Sequence, residues 1–232
     1  MERGDRTALL TDDTLKLTSL NVGLPRDSIW HGRTVTTGIY KFPVPHQVTA
    51  RKLNLDGDRQ ADLSVHGGEH KAVYAYPVEH YDYWKKKLPG RDLPLAVFGE
   101  NFTTEGLLET DVHIGDRFAM GTAEFAVTQP RLPCYKLGVR FESDDMVKRF
   151  LTSRRVGFYF AVTKEGQVAA GDEIKLLFRD SEAISIAAFV ELYVAKDWTP
   201  ADKTKIRRLF ELPSLPNDWK SHFDHRLQST SL

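Results

Sequence analysis

The sequence predicts a mainly β, α+β fold. A compact β-structure of barrel type is expected over residues 14–180, followed by a small three-helix unit over residues 181–232. Three observations predict this. Short β-branched and aromatic runs recur between glycine and proline signals. Helical periodicity is scarce in that first stretch. Beyond residue 181, three apolar patterns of helical spacing follow one another.

Leu15, Leu17, Leu20 and Val22 mark a first strand with rough alternation, turned by Asn21-Val22-Gly23-Leu24-Pro25. Thr34-Val35-Thr36-Thr37-Gly38-Ile39-Tyr40 is β-branched and reads as the next strand. Lys41-Phe42-Pro43-Val44-Pro45 is extended and proline-locked. Val48, Arg51, Leu53 and Leu55 give another strand, ending at the turn Asp56-Gly57-Asp58. Gly67-Gly68 then permits close backbone approach or a nest of amides, although an ordinary glycine turn is the plainer reading. Ala72-Val73-Tyr74-Ala75-Tyr76 is a short strand. Pro77 is placed at the first position of a helix reaching about Lys87, with Tyr81 and Trp84 on one face.

Asp116-Arg117-Phe118-Ala119-Met120 and Ala123-Glu124-Phe125-Ala126-Val127 pair around Gly121. Asp144-Asp145 is placed as the cap of a helix over residues 146–153. Two more strands follow over 157–162 and 173–178. In the tail, Ile184, Ala187, Ala188 and Leu192 share a helical face. Thr199-Pro200-Ala201-Asp202 starts a second helix, and Trp219, Phe223 and Leu227 line a third.

Composition excludes several classes. The formal net charge is zero, from 32 Lys plus Arg against 32 Asp plus Glu, which argues against nucleic acid as a partner. One cysteine allows no intrachain disulfide, no CxxC pair and no four-thiolate metal site. No stretch approaches the roughly 20 apolar residues that cross a bilayer. The opening residues carry acids and lack a signal-like apolar run, so a cytoplasmic protein is expected, with no membrane partner.

That single cysteine stands in Gln129-Pro130-Arg131-Leu132-Pro133-Cys134-Tyr135-Lys136-Leu137. Two prolines fix φ there and remove two donors, so an ordered loop is expected. Arg131 and Lys136 flank the thiol, and nearby cations favour the thiolate, the form that attacks electrophiles and binds metals. The plain alternative is a small apolar filler. His66 and His70 bracket Gly67-Gly68-Glu69 without the order of a zinc-protease helix. Asn54, Asp56 and Asp58 open like a calcium loop, but the glycine is misplaced and position 12 is Val65. Lys203, Lys205, Arg207 and Arg208 read as a solvated helix face before they read as a DNA-recognition face.

Asp56-Gly57-Asp58, His66-Gly67-Gly68, Tyr74-Ala75-Tyr76-Pro77, Phe98-Gly99-Glu100-Asn101-Phe102, Ile114-Gly115-Asp116 and the cysteine segment together resemble the motif series of MOSC-domain proteins. That family is named for the molybdenum cofactor sulfurase C-terminal domain. The likeness is to its bacterial YiiM type and runs from about Leu15 to Leu227, tail included. The resemblance implies a mixed β-barrel core with a C-terminal three-helix domain. It implies a molybdenum cofactor (molybdopterin) bound in a pocket, with Cys134 giving a thiolate to the metal. Asn101 and Arg131 fall where that family places Asn and Arg near its cysteine. Relatives include the mitochondrial amidoxime-reducing component, and YiiM-type proteins are associated with reducing N-hydroxylated compounds such as hydroxylaminopurine. Pyridoxal phosphate, once proposed for the family, is not expected, because nothing here looks like a pyridoxal domain.

On this reading the cofactor's phosphate needs cations and backbone amides, for which Lys41, Gly67, Gly68, Arg131 and Lys136 are candidates. Asp58, His66 and Glu100 are candidates for proton transfer. Two other readings stay open: a cofactor or sulfur carrier that uses Cys134 without turnover, and a Cys–His hydrolase. One cysteine cannot build a four-thiolate iron–sulfur cluster within the chain, and without a GxGxxG loop after a strand no Rossmann-type flavin or nicotinamide site is expected. A separate electron-donor redox protein is therefore the expected partner, beside a small N-hydroxylated substrate.

Overall fold

The computed structural model describes residues 15–63, 67–180 and 182–229. In chain order its strands are β1 (Lys16–Val22), β2 (Arg26–Trp30), β3 (Arg33–Thr37), β4 (Phe42–Pro43), β5 (Val48–Ala50), β6 (Val73–Pro77), β7 (Phe102–Glu105), β8 (Arg117–Met120), β9 (Ala123–Pro130), β10 (Phe158–Lys164), β11 (Gly166–Val168) and β12 (Ile174–Phe178). Eight of them form one curled, half-barrel sheet in the order β12-β8-β9-β10-β6-β7-β1-β4. Its pairs are antiparallel except β6–β7, which is parallel. The curl brings β1 back toward the far edge. There Leu17 N–H donates to the Asp172 carbonyl at 2.9 Å, and Ile174 N–H to the Leu15 carbonyl at 2.8 Å. The pairs β2–β3 and β5–β11 stand outside this sheet.

The helices are α1 (His80–Lys87), α2 (Tyr135–Phe141), α3 (Met146–Ser153), α4 (Ile186–Val194), α5 (Pro200–Glu211) and α6 (Asn217–Ser229). Their starts follow local chemistry. The Ser185 hydroxyl accepts from Ala188 N–H and caps α4. Thr199 and Asp202 form a reciprocal capping box on α5, with Pro200 at its first position.

Several expectations change in detail. The rough alternation of β1 has a cause: a bulge between Leu17 and Ser19 turns both Ser19 and Leu20 inward. Strand β2 carries no such inward pattern, because all its residues are exposed or half-buried. Pro77 does not open a helix; it closes β6 opposite Thr104, and α1 starts three residues later. Asp145 does sit at the α3 N-cap, but its carboxylate accepts from the Ser143 hydroxyl and not from the helix backbone. The cysteine segment is loop only in its middle. Gln129 and Pro130 end β9, and Tyr135 begins α2.

Two apolar clusters fill the molecule. The larger runs from Leu17, Phe118, Phe125 and Phe160 of the sheet to Phe189, Ile206 and Phe223 of the C-terminal helices, without a break at residue 180. The smaller joins Tyr76, Trp84, Phe98, Phe141 and Phe150, where α1, α2 and α3 pack on the other side of β6. Trp84 stacks on Phe150 at 5.6 Å between centroids, and its indole N–H donates to the Tyr76 hydroxyl at 2.7 Å.

Candidate functional site: a basic pocket at Cys134

The mouths of β6, β9 and β10 and the loops after β3 and β5 converge on one concavity. Cys134 lines it, together with Lys41, Asp58, Lys71, Tyr74, Asn101, Arg131, Lys136 and Tyr159. The thiol is half-buried and in no disulfide. Pro130 ends β9 and Cys134 caps the short α2, so the three-residue bend between them brings the thiol to the pocket.

Arg131 is the most constrained of these groups. It is 6% exposed, and its guanidinium lies 5.3 Å from the Tyr74 ring centre and 5.6 Å from that of Phe150. Its backbone N–H donates to the Gly157 carbonyl at 3.1 Å. Burial works against its charge, but the neighbouring Tyr74, Tyr159 and Cys134 groups more than offset this and hold its pKa above the ordinary arginine value. Conversely, burial pushes the Tyr74 and Tyr159 phenols up, and Arg131 counters only in part. Arg131 Nη1 is buried without a hydrogen-bond partner among the described residues.

Lys41 and Asp58 form a buried ion pair across the pocket wall. Asp58 Oδ1 takes both Lys41 and the Gly23 N–H, the latter at 3.0 Å. Asp58 Oδ2 is buried and unpartnered among the described residues. An unpaired buried donor and an unpaired buried acceptor thus line the same concavity. Such groups are costly unless something polar meets them.

The remaining candidates divide. Asn101 lines the pocket, but its amide is used by the frame: Oδ1 accepts from Tyr74 N–H at 3.1 Å, and Nδ2 donates to the Asn21 carbonyl at 3.2 Å. Glu100 does not reach the pocket. It is fully buried and accepts from the Tyr81 hydroxyl, the Ala96 and Phe98 N–H groups and the Thr103 hydroxyl. Burial raises its carboxyl above the ordinary value, and those donors restore it only in part. Gly67 and Gly68 face a second concavity, bounded by Trp219 and His222. His66 lies outside the described residues. Among the tail cations, Arg208 is committed to Glu211 and Asp180. Lys71, Tyr74 and Tyr159 are pocket residues that sequence reading missed; as members of a turn and of two buried strands they carry no distinguishing spacing.

Among the described residues, no three His, Cys, Asp or Glu side chains gather as a metal cage. The pocket instead offers one soft thiol, three lysines and two arginines, the exposed Arg59 and the buried Arg131, against the one carboxylate of Asp58, a donor set suited to an anionic ligand that brings its own metal chelate. A phosphate-bearing metal cofactor fits these residues.

A mainly β half-barrel with a lone thiol in a basic pocket is the class of protein that fold and site define. The MOSC domain profile matches residues 62–175. Uncharacterized protein YflK of Bacillus subtilis (strain 168) is 40% identical over 207 residues, 88% of this chain and 91% of that one. The crystal structure of YiiM from Geobacillus stearothermophilus superposes with a TM-score of 0.76 at 36% identity, covering 92% of this chain and 99% of that one. A protein named Reductase from Gibberella moniliformis (strain M3125 / FGSC 7600) is 35% identical over 151 residues, 64% of this chain and 27% of that one. The chain belongs to the MOSC-domain family and resembles its YiiM members along most of its length. No helix among the described residues is long and apolar enough to cross a membrane.

Proposed function

We propose that the protein is a molybdenum-cofactor-dependent reductase of N-hydroxylated compounds, including hydroxylaminopurine-type bases and amidoxime-like substrates. The observation that carries this reading is the pairing of the Cys134 thiol with a buried, unsatisfied Arg131 Nη1 in one basic pocket. Cys134 would ligate the metal, while Arg131, Lys136, Lys71 and Lys41 would hold the cofactor's phosphate. Bound there, the cofactor supplies the two-electron change that the polypeptide lacks.

The reaction R–NH–OH + 2 e⁻ + 2 H⁺ → R–NH₂ + H₂O breaks one N–O bond and delivers two protons. Asp58 is the proton-transfer residue favoured by position, since its Oδ2 is unpartnered in the pocket and Lys41 holds the other oxygen. Glu100 is left out of this role, because its oxygens are occupied by buried donors and it does not line the pocket. The electrons come from a separate redox protein, which would dock at the pocket rim. The relative named Reductase supports an oxidoreductase role.

The test is chemical. Protein made in cofactor-competent cells is analysed for molybdenum and assayed with reduced viologen and an N-hydroxylated base. Cys134→Ser is expected to melt with the wild type, while losing bound molybdenum and activity. A Cys134→Ser protein that keeps stoichiometric molybdenum overturns the ligand assignment. Full metal content with no reduction of any N-hydroxylated compound favours the carrier reading.

A further inference from the structure

Three arginines form a collar beside the Cys134 pocket. The guanidiniums of Arg26, on β2, and Arg140, in the last turn of α2, both lie over the Tyr40 ring, at 3.5 and 5.0 Å from its centre. Arg59 joins them through Gly23. Its backbone N–H donates to the Gly23 carbonyl at 3.1 Å, and a Cβ on Gly23 would lie 2.2 Å from the Tyr40 carbonyl oxygen. Tyr40 directly precedes Lys41, and Arg59 itself lines the pocket, so the collar borders the pocket.

Among the described residues, none of these three arginines forms an ion pair. Asp27, next to Arg26 in sequence, instead accepts from the Thr36 hydroxyl at 2.6 Å. Arg140 Nε is buried without a hydrogen-bond partner among the described residues. Burial lowers the Arg140 pKa and the nearby Arg26 charge adds to this, which Tyr40 counters only in part. Exposed apolar side chains accompany these charges: Leu24 is 63% exposed, Phe42 57% and Tyr135 56%. Leu24 follows Gly23, whose N–H donates to Asp58; Phe42 follows Lys41; Tyr135 follows Cys134. A small free anion would answer the arginines and leave these three side chains in water. An uncharged protein surface would cover the side chains and leave the arginines unanswered. A protein with an acidic face answers both, with apolar contact and charges that steer its approach. Electron-transfer complexes are small interfaces of this kind.

We propose that this collar of Arg26, Arg59 and Arg140 is the docking surface for an acidic redox protein, which delivers electrons beside the Cys134 pocket. The surface stands on its own geometry and charge; the use made of the electrons rests on the reductase reading. A one-electron carrier is oxidised once per encounter, so two encounters supply the two electrons that break one N–O bond.

The probes are a plant-type ferredoxin and a flavodoxin, both small acidic carriers, titrated at low salt onto the immobilised full chain. At least one should bind saturably, with an affinity that falls as salt rises. Arg26→Glu should weaken that binding about tenfold and flatten its salt dependence. Leu24→Ser should weaken it while keeping the salt dependence. Lys205→Glu, an exposed change on α5, should bind like the wild type. Should Arg26→Glu fail to fold, Arg26→Gln carries the same test with a smaller loss. In cofactor-loaded protein, Arg26→Glu should lose turnover driven by the bound carrier and keep turnover driven by reduced viologen. Saturable binding of neither carrier, or equal affinities in Arg26→Glu and Lys205→Glu, overturns the surface. Arg26-dependent binding by a loaded protein that viologen cannot drive supports the surface and overturns the reductase reading.

Discussion

Glu100 and the Lys41–Asp58 pair show how similar residue types part company once burial is known. Four donors meet the Glu100 carboxylate, and Thr103 extends the network to Asn21 and Ser19. Glu100→Gln would set an amide NH₂ against those donors and is expected to cost about 1–3 kcal/mol, with molybdenum content unchanged. It also carries a pH signature. The folded pKa of Glu100 lies above the unfolded value, so between the two values the folded chain holds the extra proton. The stability contribution of this group therefore declines as pH rises through that window, from about 4.3 upward. Urea melts across this range should show that decline in the wild type and lack this component in Glu100→Gln. Lys41 differs in being one half of a buried pair. Lys41→Met leaves the Asp58 charge buried alone and should cost about 3–5 kcal/mol, whereas Lys41→Met with Asp58→Leu should recover most of that stability. Both variants should lose activity, and a stable, fully active Lys41→Met would remove the pair from the site.

The cysteine segment is positioned by a relay between elements. Glu109 accepts the Gly157 N–H at 2.7 Å, and the Gly157 carbonyl accepts the Arg131 N–H at 3.1 Å. Gly157 adopts φ 66°, and a Cβ there would lie 2.3 Å from the Ala75 carbonyl oxygen of β6. Gly157→Ala is therefore expected to cost several kcal/mol, on the order of a severe strain substitution, and to loosen Arg131. Differential scanning calorimetry and metal analysis should fall together; a normal melt would show that the relay is slack. Much of this level was legible in the sequence. The β8–β9 hairpin, α3, and the proline start of α5 follow from turn residues, from periodicity and from Pro200. What escaped had no local signal. The residues of β2 show no buried face to alternate with, and Pro77 is compatible with a strand end as well as a helix start. Glu100 bears the chemistry of a catalytic acid, and only its four donors reveal a structural one. Cys134, Arg131 and Lys136 could be placed together because they are neighbours in sequence, whereas Lys71 and Tyr159 come to the pocket only through folding.

At the scale of the molecule, the apolar core crosses from the sheet to the tail. Phe189, Ile206 and Phe223 share one cluster with Phe118 and Phe160. A chain ending at residue 180 would lose that cover, and at roughly 25 cal/mol per Å² of apolar surface even a few exposed aromatics outweigh a typical folding margin. Such a fragment is expected to be aggregated in gel filtration; a monodisperse, folded fragment would show that the tail contributes little. The Cys134 pocket is likewise a product of the whole first part of the chain. Lys41, Asp58, Lys71, Asn101, Arg131 and Tyr159 enter it from successive elements, and β10 is inserted between β9 and β6. During synthesis, at about 5–20 residues per second, the earlier strands emerge while this wall is still missing. The cavity closes only once β10 has left the ribosome and paired, so the proposed cofactor would meet its pocket only on a nearly finished chain, and a nascent chain arrested before Tyr159 lacks that wall.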